Sequence, residues 1–83
     1  MILMLRKELR WFAKKMERKL RKHDLERKMS WKYENQMYLY GRLMDEIEEL
    51  HQAIGLEQQI EECLDIANFA MMLANNLNKQ KLI

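Results

Sequence analysis

The chain has 83 residues, 48% of them hydrophobic and 34% charged, with a net charge of +2. That length suits one small domain with much surface for little core, so a second copy is expected to help cover it. No proline, two glycines and one cysteine exclude a turn-rich sheet protein and an internal disulfide, and the expected fold class is all-α, one domain over residues 1–83.

The charge is unevenly spread: through Lys32 twelve Lys/Arg face four Asp/Glu (+8), and from Tyr33 three face nine (−6). Met1 to Leu5 is apolar but meets Arg6 and Lys7 at once, too short for a secretory core, and no window approaches a bilayer span. A cytoplasmic protein without a membrane partner is therefore expected. Leu5, Leu9, Phe12, Met16 and Leu20 recur at helical steps, which predicts a first helix from near Ile2 to near Lys28 with a stripe that needs a neighbour. Roughly opposite lie Lys7, Trp11, Lys14, Lys15 and Arg18. A subunit contact over Trp11, or cation–π packing, accounts for that face better than a nucleic-acid backbone, and nucleic acid is not an expected partner.

Ser30 is placed to cap a second helix, along which Met37, Tyr40, Met44, Ile47, His51 and Ile54 form a core stripe ending at Gly55. A third helix is predicted from near Glu57, whose acids suit a helix N-terminus, into the polar tail Asn75 to Lys81. On it, Ile60, Cys63, Ala67, Ala70, Ala74 and Leu77 read as the packing face, with Cys63 an inert buried thiol. Glu62, Asp65, Phe69, Met72 and Asn76 read as a site face.

Two acidic pairs carry the functional signal: Glu46 with Glu49, and Glu62 with Asp65, each three residues apart on one helix face. Asp65 interrupts an apolar run and reads as buried. A buried carboxylate must be paired, protonated or metal-bound, and few bases lie near it in sequence. If the second and third helices pack side by side, the four acids converge, and a hard divalent cation such as Mg²⁺ relieves their repulsion. Glu48, Glu57 and Glu61 read as solvated surface, and an Arg42–Glu46 pair is the plainer account of that part of the second helix.

Asp45-Glu46-Ile47-Glu48-Glu49 followed by Glu62-Cys63-Leu64-Asp65 resembles the EExxE and ExxD signature of the MazG-like, all-α nucleoside triphosphate pyrophosphohydrolases, with aspartate in place of the first glutamate. The gap between the halves is similar, as is the stretch from Ile66 to Ala74. Phe12 to Trp31 is similar to the family's first helix and tryptophan-containing turn, although Met29 and Ser30 stand where glycines are often found. The resemblance implies Mg²⁺-dependent hydrolysis of a nucleotide between its α and β phosphates, with Glu46, Glu49, Glu62 and Asp65 as metal ligands. It also implies oligomers, a homodimer or homotetramer, in a shared helical bundle. Glu46 or Glu49 is the candidate to act on the attacking water.

Candidate substrate contacts are Asn68, similar to an asparagine of the family, Phe69 as an aromatic wall, and Trp31 with Lys32 for base and phosphate. Each has a structural counterpart: Asn68 as a bridge between helices, Phe69 as core, Trp31 as the anchor of the first turn. His23 and His51 lack the neighbours of a catalytic dyad, and His51 reads as an interior or boundary residue. A non-catalytic helical oligomer, or a nucleic-acid-binding module built on the basic first helix, is the alternative function.

Overall fold

Periodicity of about 3.6 residues runs through three segments, and each becomes a helix. In the computed structural model, which describes residues 4–81, α1 spans Lys7–Arg27, α2 Gln36–Gln52 and α3 Leu56–Gln80, with a 3-10 turn at Ser30–Tyr33 between α1 and α2. No strand occurs among the described residues. The expected first-helix start near Ile2 lies outside them, and α1 begins at Lys7.

The link from α1 to α2 differs from expectation. Lys28 (φ 53°) and Met29 (φ 59°) are both left-handed, so the chain turns sharply before Ser30 opens the 3-10 turn. Trp31 is then buried against Leu39 and Met72, and the chain becomes helical again only after Glu34. Asn35, not Ser30, caps α2, its side-chain oxygen accepting the Met37 N–H at 2.6 Å. The turn is tied to the end of α3, where the Asn76 amide donates to the Trp31 carbonyl at 2.9 Å and Lys79 donates to the Lys32 carbonyl at 2.9 Å. At the far end, α2 stops at Gln52, and Gly55 (φ 92°) lies at the start of α3 rather than closing α2.

The spine is α3, with both α1 and α2 packed on it and α2 the more extensively. The buried apolar residues among those described are Trp31, Leu39, Leu64 and Met72, and α1 contributes none. Full burial of such side chains is worth about 1.5–3 kcal/mol each, so four leave a thin core.

Two predicted packing faces are displaced around their helices, although Ile60 and Ala67 of the one expected on α3 are half-buried. On α2, Leu39 and Glu46 are buried and Leu43 and Leu50 half-buried, whereas Met37, Tyr40, Met44, Ile47 and His51 face outward, and Ile54, beyond the end of α2, is exposed. The two stripes both recur at helical intervals about a third of a turn apart, so periodicity alone does not choose between them. On α3, Leu64, Asn68 and Met72 are buried while Cys63, Ala70, Ala74 and Leu77 are exposed. Cys63 is therefore an exposed thiol rather than a buried one, and Glu62 and Asp65 on the expected site face of α3 are half-buried.

Candidate metal centre

Where α2 crosses α3, Glu46, Glu49 and Glu62 each present a carboxylate oxygen, and these atoms lie within 4.8 Å of one another. Their surroundings differ. Glu46 is 5% exposed, Glu62 half-buried and Glu49 exposed. One oxygen of Glu46 and one of Glu62 are buried without a hydrogen-bond partner. The other Glu46 oxygen accepts from Arg42 at 3.2 Å, and Arg42 also reaches Asp45 at 3.3 Å while lying 5.1 Å above the Phe69 ring.

Burial, and then the neighbouring carboxylates of Glu49 and Glu62, push Glu46 up to about 8 from its ordinary 4.5. One guanidinium does not offset an acid taken out of water beside two others. Near neutrality and without a cation, Glu46 therefore holds a proton, which removes one of the charges that would otherwise repel. The protonated Glu46 beside it holds Glu49 below its ordinary value, with Glu62 and the Arg42 charge acting in the same direction.

Asp65 is placed differently from its prediction. Its side chain is 31% exposed, and its oxygen lies 2.8 Å from the Lys19 ammonium, which also holds Glu61 at 2.9 Å. Burial alone would lower the pKa of Lys19, but the bonds to Asp65 and Glu61 outweigh it and leave the ammonium raised. The partner missing from the local sequence thus comes from α1. The buried, under-partnered carboxylate expected at Asp65 is found at Glu46.

Beside the acids opens a cavity of about 550 Å³. Trp31, Tyr38 and Phe69 give it aromatic walls, Arg27 and Arg42 give it positive charge, and Glu46 and Asp65 line its acidic part. Trp31 is 8% exposed and belongs to the core with Leu39 and Met72, yet its indole N–H has no partner. His23 lines the same cavity with its Nδ1 likewise buried and unpartnered. Two of the expected substrate contacts lie outside this lining. Lys32 is exposed with its ammonium 5.8 Å from the Trp31 ring, and Asn68 is buried, its amide donating to the Met16 carbonyl at 3.3 Å and bridging α3 to α1.

Sequence reasoning passed over His23, Arg27, Tyr38 and the reach of Arg42. A signal was present on α1, where the Leu9, Phe12, Met16, Leu20 stripe continues at the same spacing into His23 and Arg27. Polar residues that prolong an inward stripe point to a polar cleft at that end of the helix. Glu61, read as solvated surface, proves exposed but bound to Lys19, which holds it below its ordinary value.

Set against known protein families, curated proteins and solved structures, the chain matches none. No described helix is long and apolar enough to cross a membrane.

Proposed function

We propose that this chain is a Mg²⁺-dependent nucleoside triphosphate pyrophosphohydrolase of the MazG-like kind. The observation that carries the reading is the convergence of Glu46, Glu49 and Glu62 within 4.8 Å, with a buried Glu46 oxygen that nothing satisfies. An all-oxygen donor set suits a hard cation, which would take the place of the proton on Glu46 and offset the repulsion among the carboxylates. Glu46, Glu49 and Glu62 would hold the ion, with Asp65, whose Oδ1 meets Lys19 at 2.8 Å, as the fourth donor. When bound, Mg²⁺ supplies Lewis-acid neutralisation of phosphate charge, without which a triphosphate is repelled by this end of the cavity.

The remaining work falls to the chain's own groups. Trp31, Tyr38 and Phe69 enclose a base, and Arg27 and Arg42 meet phosphate oxygens. Lys32 and Asn68 act from the margins, Asn68 by fixing α3 against α1. Glu46 or Glu49, whichever is less engaged with the ion, is the group to take the proton of the attacking water; Glu49 is the exposed one and Glu46 the buried one. Water adds to phosphorus, the P–O bond between the α and β phosphates breaks, and nucleoside monophosphate and pyrophosphate leave. The outward stripes of α2 and α3 are covered by a second copy, as a homodimer or homotetramer.

The test is a panel of ordinary and modified nucleoside triphosphates incubated with Mg²⁺, with pyrophosphate measured separately from orthophosphate. Pyrophosphate with the monophosphate supports the reading; orthophosphate alone, or no turnover of any nucleotide, removes it. A second reading, a nucleic-acid-binding helix, is favoured by Trp11, which is 49% exposed with Lys15 at 5.8 Å from its ring on the basic side of α1. A salt-sensitive shift of a labelled oligonucleotide, lost in Trp11→Ala, is its signature.

A further inference from the structure

Arg42 belongs to two sites at once. Its guanidinium bonds the Glu46 oxygen at 3.2 Å, lies 5.1 Å above the Phe69 ring and lines the cavity together with Arg27. Glu46 is the most buried acid of the three that converge, and its second oxygen is buried without a partner. A divalent ion held by those acids therefore meets a resident cation already bonded to one of its ligands. We infer that Arg42 is an internal counter-cation that competes with the metal for Glu46, and that phosphate entering the cavity relieves this competition by drawing the guanidinium to itself. The inference rests on the metal reading of the glutamates proposed above.

The sign follows from charge alone. Metal entry adds two positive charges and displaces at most one proton, so a neighbouring guanidinium opposes it whether Glu46 begins ionised or protonated. The cost falls when the guanidinium pairs with phosphate, which makes metal and phosphate binding mutually favourable. Arg42 in this role binds phosphate and sets the affinity of the acids for the ion, and it supplies no atom to the reaction.

The experiment is calorimetric titration of the whole chain with Mg²⁺ alone, at one pH, for the parent and for Arg42→Gln, Arg42→Met and Arg42→Lys. Removing the charge is expected to tighten Mg²⁺ binding by about three- to tenfold, the scale of one charge acting across a partly solvated site. Arg42→Lys is expected to return to within about twofold of the parent, a rescue that a purely structural role for the side chain would not give. Thermal melting checks folding, and either neutral variant that folds is sufficient. Binding in Arg42→Gln that is equal to or weaker than in the parent overturns the inference, as does a lysine variant that behaves like the glutamine one. No heat with Mg²⁺ in the parent but binding in a neutral variant supports it; no heat in any of them removes both it and the metal reading. A parent that binds Mg²⁺ but releases no pyrophosphate ends the proposed hydrolysis while leaving this comparison to be decided by the calorimeter.

Discussion

The two sides of α3 are built from different chemistry. Its inward side carries Leu64, Asn68 and Met72 in burial, with Glu62, Asp65 and Phe69 half-buried beside them, and so combines half of the thin core with half of the acids. Its outward side, Cys63, Ala70, Ala74 and Leu77, is small and apolar, and within one chain it touches solvent. The inward side has found its partners in α1 and α2, including a salt bridge to a residue as distant as Lys19. An amphipathic helix announces that an apolar face exists, and only the rest of the molecule decides which face is covered first.

The largest effect is expected where the inward side holds charge. Glu46→Gln should lower Mg²⁺-dependent pyrophosphate release by about 10²–10⁴-fold, the usual scale for a lost acid–base group at a reacting centre. Asp65→Asn should abolish the same turnover because the fourth donor is lost, while circular dichroism shows the helices intact because Lys19 keeps its bond to Glu61. Turnover near that of the parent in either variant breaks the assignment of chemistry to this side of α3.

Next in size is a contrast between the two sides. Leu64 is 1% exposed, and Leu64→Ala should cost about 2–5 kcal/mol, read as a lower urea midpoint at every protein concentration. Ala70→Glu adds a charge to the outward side and should leave the midpoint of an isolated chain within about 0.5 kcal/mol, while shifting sedimentation from a dimer toward a monomer. A parent that sediments as a monomer would mean that the outward side is not covered by a second copy.

A smaller effect follows from the proton on Glu46. Its value in the folded chain, about 8, lies above the ordinary 4.5, so between those limits the folded state binds the proton more firmly than the unfolded one. The contribution of this one group to stability without metal is therefore complete below about pH 4.5, declines as pH rises and levels off above about pH 8, by a total of the order of 2–3 kcal/mol once solvent near the nest is allowed for. The lowered Glu49 and Glu61, by contrast, lose their contributions as pH falls. Glu46→Gln, which has no proton to lose, should flatten that decline and melt higher than the parent at pH 9. Over the same interval Mg²⁺ affinity should rise, since the ion needs the carboxylate bare. Parallel melting curves for parent and variant from pH 5 to 9 would contradict the proton on Glu46.

The helical class was legible because no competing pattern exists: without proline, and with 3.6-residue periodicity in three segments, no strand assignment fits. The acids Glu46, Glu49 and Glu62 were legible as well, because residues three apart share a helix face whatever that face meets. The Lys19 bond to Asp65 was not, since it joins residues far apart in sequence through the packing of α1 on α3. The choice of stripe on α2 failed for a related reason. Met37, Tyr40, Met44 and Ile47 look more apolar than a face containing Glu46, yet the face with Leu39, Leu43 and Leu50 is the one buried, and the glutamate goes in with it. Burying an acid among leucines contradicts local hydropathy, a mismatch of the kind that functional sites tend to retain.

The smallest predicted effect tests the other misread place, the turn after α1. Serine at position 30 looked like a helix cap because the two residues before it, Lys28 and Met29, gave no warning of left-handed backbone. Such a conformation brings Cβ against the neighbouring carbonyl oxygen and is adopted at little cost only by glycine. Two such residues in succession are held here by the burial of Trp31 and by the Asn76 and Lys79 bonds to the turn. Met29 is 39% exposed, so little packing is lost on replacing it. Met29→Gly should therefore raise stability by about 0.5–1 kcal/mol, read as a higher melting temperature with unchanged Mg²⁺ affinity, because relief of backbone strain slightly exceeds the added freedom of the unfolded chain. A lower melting temperature would show that the methionine side chain holds this turn more firmly than its exposure suggests.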